Sequence, residues 1–207
     1  MPIPARELRQ RLPSLPFFPE PSSPGTLTLP ALASQLSELS GLGDSANLTM
    51  ATQLILDAQQ RGEVAVWITP ADRIFYPVDI AESGVDLDTL VVIRVPDAIA
   101  AARRAARLAR AGAFGLLVLD LCESAVLPLA ALARLAGLAQ QHRTAIVFVT
   151  QKDEHAPSLG SLIAMRGNTR RERVAPDTFR CTLHVVKDKR RGPWTFEELC
   201  RGPAGLR

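Results

Sequence analysis

Uninterrupted apolar runs alternate with helical periodicities along most of this chain. Four runs, at residues 64–68, 91–93, 116–119 and 145–149, are typical of strands buried on both faces. Apolar residues recur at helical spacing over residues 49–58 and 98–111, and Pro128 opens a third helix. Asp97 is placed to cap the second helix and Gly112 to end it. The alternation predicts an α/β fold with a mainly parallel central sheet flanked by helices.

The third helix carries a row of leucines that we interpret as core, because nothing sustains the row over three heptads. The row consists of Leu129, Leu132, Leu135 and Leu138.

The pattern changes beyond residue 150. A short helix is predicted around residues 161–165, and the alternating segments 170–174 and 179–187 predict antiparallel strands that extend the sheet at its C-terminal end. From residue 160 to the end, eleven Lys/Arg stand against five Asp/Glu, whereas the earlier residues are slightly acidic. Such a surface would suit DNA or an acidic partner, and a solvated strand face is the alternative. The candidate contact residues are Arg170, Arg171, Arg173, Arg180, Lys187, Lys189, Arg190, Arg191 and Trp194.

The sequence predicts three regions, the first of which is rich in proline. Residues 1–30 form a proline-rich arm, residues 31–191 a single core domain and residues 192–207 a C-terminal tail. Apolar residues within the arm would pack on its own domain or on a partner: Leu12, Leu15, Phe17 and Phe18. With 207 residues, of which 47% are hydrophobic, the chain is long enough for a proper core. It has no membrane-length apolar stretch and no signal-peptide pattern, so a cytoplasmic protein is expected.

Candidate chemistry begins with the loop at residues 41–50, GLGDSANLTM, which precedes the first long helix. A glycine-containing loop before a helix can cradle phosphates with its backbone N–H groups. A working phosphate loop also needs a lysine for the outer phosphates and a hydroxyl for Mg²⁺. Asn47 and Leu48 occupy those two positions, and Asp44 brings a carboxylate to where phosphates would lie. We therefore expect no bound cofactor and no metal.

Cys122, Cys181 and Cys200 are odd in number and far apart in the sequence, so we expect neither a disulfide nor a zinc site.

Several separated motifs, in order, resemble the core of the RecA family. They are GVDLDTL at 84–90, LVLD at 117–120, FVTQ at 148–151 and VVKDK at 185–189. The resemblance implies a RecA-like core whose Asp120 corresponds to the Walker B carboxylate and Gln151 to the nucleotide-sensing glutamine. Asp72 falls at the position of the catalytic glutamate. The relict nucleotide site would comprise Gly41, Gly43, Ser45, Asn47, Thr49, Asp72, Asp120 and Gln151.

A RecA-like chain with this degenerate loop is similar to the ImuA family of bacterial accessory proteins. That resemblance implies a catalytically inactive adaptor in the DNA damage response and mutagenic translesion synthesis. Its partner would be ImuB, a Y-family polymerase homologue, with RecA as a second partner and weak DNA contact. The arm and the tail would be the docking segments. The alternative is an ATP- and DNA-binding RecA-like ATPase that retains weak nucleotide binding through Asp72, Asp120 and Gln151.

Overall fold

The central feature of the fold is an eight-stranded mixed sheet with the strand order β3-β2-β4-β5-β1-β6-β7-β8. A computed structural model describes residues 25–71, 75–121 and 125–201. The first six strands of that order run parallel, and β7 is antiparallel to both β6 and β8. The predicted α/β class, with antiparallel strands at the C-terminal end, is confirmed. The strands are β1 Leu36–Ser40, β2 Ala65–Pro70, β3 Leu90–Val95, β4 Leu116–Asp120, β5 Ala145–Thr150, β6 Met165–Ala175, β7 Thr178–Asp188 and β8 Trp194–Arg201.

Helices cover both faces of the sheet. They are α1 Leu29–Leu32, α2 Asn47–Gln60, α3 Pro77–Glu82, α4 Ala98–Ala111 and α5 Leu129–His142, with a 3₁₀ turn at Leu87–Thr89. The expected boundaries of α4 are confirmed. The carboxylate of Asp97 accepts a hydrogen bond from the Ala100 N–H at 2.7 Å, and Gly112 ends the helix with φ +65°. No helix of the described residues is long and apolar enough to cross a membrane.

The sheet separates two hydrophobic clusters. One, under α2, includes Leu54, Trp67 and Val118, and the other, under α4 and α5, includes Ile68 and Phe148. Every residue of β1, β2, β4 and β5 is buried, as expected for parallel strands covered on both faces.

Two burial predictions need correction. β3 is an edge strand of the sheet, so Val91 and Val92 are exposed rather than buried. In the leucine row of α5, Leu132 and Leu135 are core residues, but Leu129 in the first turn is exposed.

The chain after residue 160 also differs from prediction. Residues 161–165 do not form a helix, because the Ala164 N–H donates to the Leu36 carbonyl at 2.8 Å and draws the chain into an extended path beside β1. The segment assigned to a tail contains β8, which pairs with β7 from Trp194 to Arg201. Trp194 and Phe196 pack against the core. The arm up to residue 24, with its four apolar residues, and residues 202–207 lie outside the described residues.

Candidate functional site

The glycine-containing loop lies at the carboxyl edge of the sheet. It joins β1 to α2, and β1 pairs with β5, which pairs in turn with β4. Asp120 at the end of β4 and Gln151 after β5 therefore come to the same edge as the loop. This edge is where open parallel sheets bind ligands. Asp72, the expected counterpart of a catalytic glutamate, lies outside the described residues.

The backbone of the loop is bonded to the protein itself. The Ala46 N–H donates to the Thr169 hydroxyl at 3.0 Å, and the Ser45 N–H donates to the Gly43 carbonyl at 2.8 Å. The Asp44 carbonyl accepts the Arg171 N–H at 2.7 Å. A Cβ at Gly41 would lie 2.6 Å from the Thr169 carbonyl oxygen, so only glycine permits this approach to β6. Two amides that a phosphate would need already have acceptors.

Asn47 links three segments of the molecule. Its side chain is 3% exposed, its Nδ2 donates to the Thr150 carbonyl at 2.9 Å, and its Oδ1 accepts from the Thr169 hydroxyl at 2.8 Å. It thus joins the start of α2 to β5 and β6. Because Thr169 also accepts from Ala46, one hydroxyl connects the loop, the helix and the sheet. A lysine at position 47 has no acceptor for the Thr169 hydrogen. We refer to the side chains of Asn47 and Thr169 as the loop staple.

The other relict-site residues have different environments. Asp120 is 6% exposed and accepts from the Thr69 hydroxyl at 3.3 Å. Thr49 lies beside the Cys181 thiol and contributes to the lowering of its pKa, while Leu48, at the position expected for a metal-binding hydroxyl, is exposed. Gln151 is exposed at the end of β5. The structure brings these residues to one edge of the sheet.

A cavity of about 520 Å³ opens beside the loop, between α2, α3 and strands β6 to β8. Thr49 and Asp120 lie on its wall, so part of the predicted site faces an open space. Aliphatic and neutral polar side chains also line the cavity, and its other aromatic and charged lining residues are Trp67, Phe75, Tyr76, Asp79, Glu82, Arg171, Phe179 and Arg201. The rings of Trp67 and Phe75 are 5.7 Å apart. Such a cavity suits a planar or apolar group with one polar end. The sequence signal for it was the Phe-Tyr pair before α3.

On the opposite face, a buried ion pair holds the segment that follows β5. Glu38 of β1 is fully buried, and the Nζ of Lys152 lies 2.6 Å from its Oε1. The Thr150 hydroxyl and the Leu159 N–H donate to the same carboxylate, each at 2.9 Å. Arg166 of β6 donates to the carbonyls of Asp153, Glu154 and Ala156 in the same segment. We refer to Glu38, Lys152 and Arg166 as the clamp. The one sequence signal was a glutamate inside the otherwise small and apolar strand β1.

The nine residues predicted to contact DNA or a partner do not form one surface. Arg171 and Arg173 lie on the α2 face, with guanidinium carbons 5.0 and 5.4 Å from the ring centroid of Phe179. Arg170 and Arg180 point to the opposite face, where Glu172 is directly across from Arg180.

The remaining candidates lie at the end of the sheet in different environments. Burial is the main cause that lowers the pKa of Lys187, and the nearby charge of Lys189 adds to it. The Lys189 ammonium donates to the Ser161 carbonyl at 2.7 Å. Arg190 and Arg191 are exposed in the turn after β7, and the Trp194 indole donates to the Asp188 carboxylate at 3.0 Å.

Two cysteines that are far apart in the sequence lie on the same face of adjacent strands, Cys181 in β7 and Cys200 in β8. The Cys200 thiol donates to the Glu198 carboxylate at 3.5 Å. The proximity of the two thiols lowers the pKa of Cys181 and raises the pKa of Cys200. Cys122 lies outside the described residues. No cluster of three or more His, Cys, Asp or Glu residues that could hold a metal occurs among the described residues.

No family model matches this chain, and no curated protein matches it.

Proposed function

We propose that this chain is a catalytically inactive, RecA-like adaptor of the ImuA kind. It acts in the cytoplasm in the DNA damage response and mutagenic translesion synthesis, by binding ImuB and, as a second partner, RecA. The ordered sequence motifs support the RecA-like part, together with a mainly parallel sheet whose carboxyl edge carries Asp120, Gln151 and the loop. The family resemblance of the degenerate loop supports the choice of partners.

The main support for the proposal that the protein does not hydrolyse ATP is the loop staple. Asn47 replaces a phosphate-binding lysine with a neutral, 3% exposed amide that already has a donor and an acceptor. Loss of a charge-assisted contact to phosphate removes one of the stronger hydrogen bonds available to a nucleotide site. Because the loop at the carboxyl edge of the sheet is held by bonds within the protein, its order does not depend on bound ATP. This suits a protein that binds partners rather than one that binds and hydrolyses ATP.

The edge of β8 is the surface that we assign to ImuB. Among residues 25–71, 75–121 and 125–201, β8 is the last strand of the sheet order, and the edge strand of a sheet can offer backbone groups to a partner strand. Leu199 on this strand is 68% exposed, which leaves a large apolar side chain available for contact. This revises the expectation of an irregular docking tail, because residues 194–201 are part of the sheet.

The experiment is a pull-down of purified, tagged ImuB by the full chain and by two variants. Leu199→Glu places a charge on the edge and is expected to reduce capture about tenfold. Glu197→Gln, on the same face of the same strand, is the control and should change capture by less than about twofold. Failure of the unmodified chain to capture ImuB would overturn the proposed function. Equal capture by Leu199→Glu would overturn only the choice of surface.

A second candidate is an ATP- and DNA-binding RecA-like ATPase with weak nucleotide binding. The cavity favours it, because Thr49 and Asp120 both face an open volume of about 520 Å³ beside the loop. Magnesium-dependent binding of a fluorescent ATP analogue, lost in Asp120→Asn, would support this candidate over the adaptor.

A further inference from the structure

A second open volume lies on the other side of the sheet, between α4 and α5. This groove has a volume of about 660 Å³. Its floor is made of small apolar side chains, which include Ala102 and Ala106 of α4 and Ala131 of α5. Because alanine projects little from a helix, the backbone of an incoming segment can approach closely. None of the residues assigned above to the nucleotide loop or to the basic sheet end lines this groove.

Four arginines surround that floor: Arg103, Arg107, Arg110 and Arg134. The first three are spaced i, i+4 and i+7 on α4, so they project from one stripe of the helix over about 10 Å of its length. Arg134 faces them from α5. All four are exposed, and among the described residues none has a salt bridge or a side-chain hydrogen bond. Their charges are therefore not neutralised within the described part of the protein.

We propose that this arginine groove binds an acidic, amphipathic helix of a partner protein. Two helices that enclose an apolar floor match the mode in which a third helix lays its apolar stripe into a groove. Arginine forks bind carboxylates with two parallel hydrogen bonds, which favours aspartate or glutamate along the margins of that helix. Arginine is also enriched at the centres of protein interfaces.

Single-stranded DNA fits the groove less well than an acidic helix. Proteins that bind single strands combine cations with aromatic side chains on which bases stack. The lining contains no aromatic residue, and its apolar members are Ile99, Pro128 and alanines. The N-terminal arm of this chain is also a poor occupant, since residues 1–24 carry three arginines and two glutamates and are therefore not acidic. The groove proposal does not depend on the RecA-like assignment.

The test uses the full chain and fluorescence anisotropy with a designed sixteen-residue helical peptide that has leucine at positions i, i+3, i+4 and i+7 and glutamate on both flanks. Two further probes are the same peptide with glutamine for glutamate and a twenty-nucleotide oligothymidylate. We expect saturable binding of the acidic peptide and at least about tenfold weaker binding of the glutamine peptide. The double variant Arg107→Glu/Arg134→Glu should weaken binding of the acidic peptide at least about tenfold.

Arg104→Glu is the matched control, because Arg104 is exposed on α4 but does not line the groove. Its affinity should stay within about twofold of the unmodified chain. All substituted side chains are exposed, so the melting temperatures should not change, which separates a binding defect from unfolding. Three results would each overturn the proposal. The first is no binding of the acidic peptide, and the second is an equal loss of peptide affinity in Arg104→Glu. The third is binding of the oligothymidylate that is tighter than binding of the peptide and is weakened by Arg107→Glu/Arg134→Glu.

Discussion

Removal of the loop staple at Asn47 should destabilise the protein markedly although it deletes only a small polar side chain. In Asn47→Ala, the Thr150 carbonyl loses its 2.9 Å donor and the Thr169 hydroxyl loses its 2.8 Å acceptor. Each lost bond is worth about 1 kcal/mol, and a buried polar group left unsatisfied adds about 1–3 kcal/mol. Alanine recovers about 0.5 kcal/mol through its higher helix propensity. The expected decrease in the free energy of unfolding is about 2.5–4.5 kcal/mol.

Urea unfolding followed by circular dichroism measures this decrease, and a double-mutant cycle identifies its cause. Thr169→Val removes the other half of the staple at nearly constant volume. If the two residues act through their mutual hydrogen bond, the double variant should be less destabilised than the sum of the single variants, by about 1 kcal/mol or more. Gln151→Ala, at an exposed position after β5, is the control and should change stability by less than about 0.5 kcal/mol. Additive effects, or a loss below about 0.5 kcal/mol in Asn47→Ala, would refute the staple.

Two further predictions concern charges buried near β1. Glu38→Gln leaves the Lys152 ammonium, whose side chain is only 16% exposed, without its counterion. We expect a loss of about 3 kcal/mol in thermal or urea unfolding. The half-exposed Glu154→Gln serves as control, and equal stability of the two variants would contradict the clamp. For Lys187, burial lowers the pKa in the folded state below the ordinary lysine value of 10.5. Between the folded-state pKa and 10.5, the unfolded chain therefore binds more protons than the folded protein. The free energy of unfolding of the unmodified protein should then increase, relative to that of Lys187→Met, as the pH rises through this range. A stability difference that does not change across this alkaline range would contradict the burial effect.

The sequence predicted the parts of the fold that depend on local pattern. The buried strands and the Asp97 cap of α4 were predicted because periodicity and capping are properties of neighbouring residues. The helix expected around residues 161–165 was wrong, because a backbone bond to Leu36, more than a hundred positions away, selects the extended path. β8 was assigned to a tail because its pairing with β7 is likewise not encoded in local periodicity.

In the candidate site too, features that depend on local sequence were predictable and features that depend on long-range contacts were not. Asn47 and Leu48, at the positions where a phosphate loop would carry a lysine and a hydroxyl, are visible in the sequence. That Asn47 is a buried link between β5 and β6 is not visible, since both partners lie more than a hundred residues away. The arginine groove shows the same limit. Its three arginines on α4 are visible in the sequence only as one charged stripe of a helix, and the packing of α5 beside α4 adds Arg134 and an apolar floor.

The most direct test of the central claim is a titration of the purified chain with a fluorescent ATP analogue and Mg²⁺, at concentrations into the millimolar range. Asn47→Lys/Leu48→Thr, which restores the residue types of a working phosphate loop, is titrated beside it. We predict no saturable binding to the unmodified chain, because the loop amides of Ser45 and Ala46 already donate within the protein. Saturable, magnesium-dependent binding to the unmodified chain would contradict the inactive-adaptor account and favour a nucleotide-controlled one.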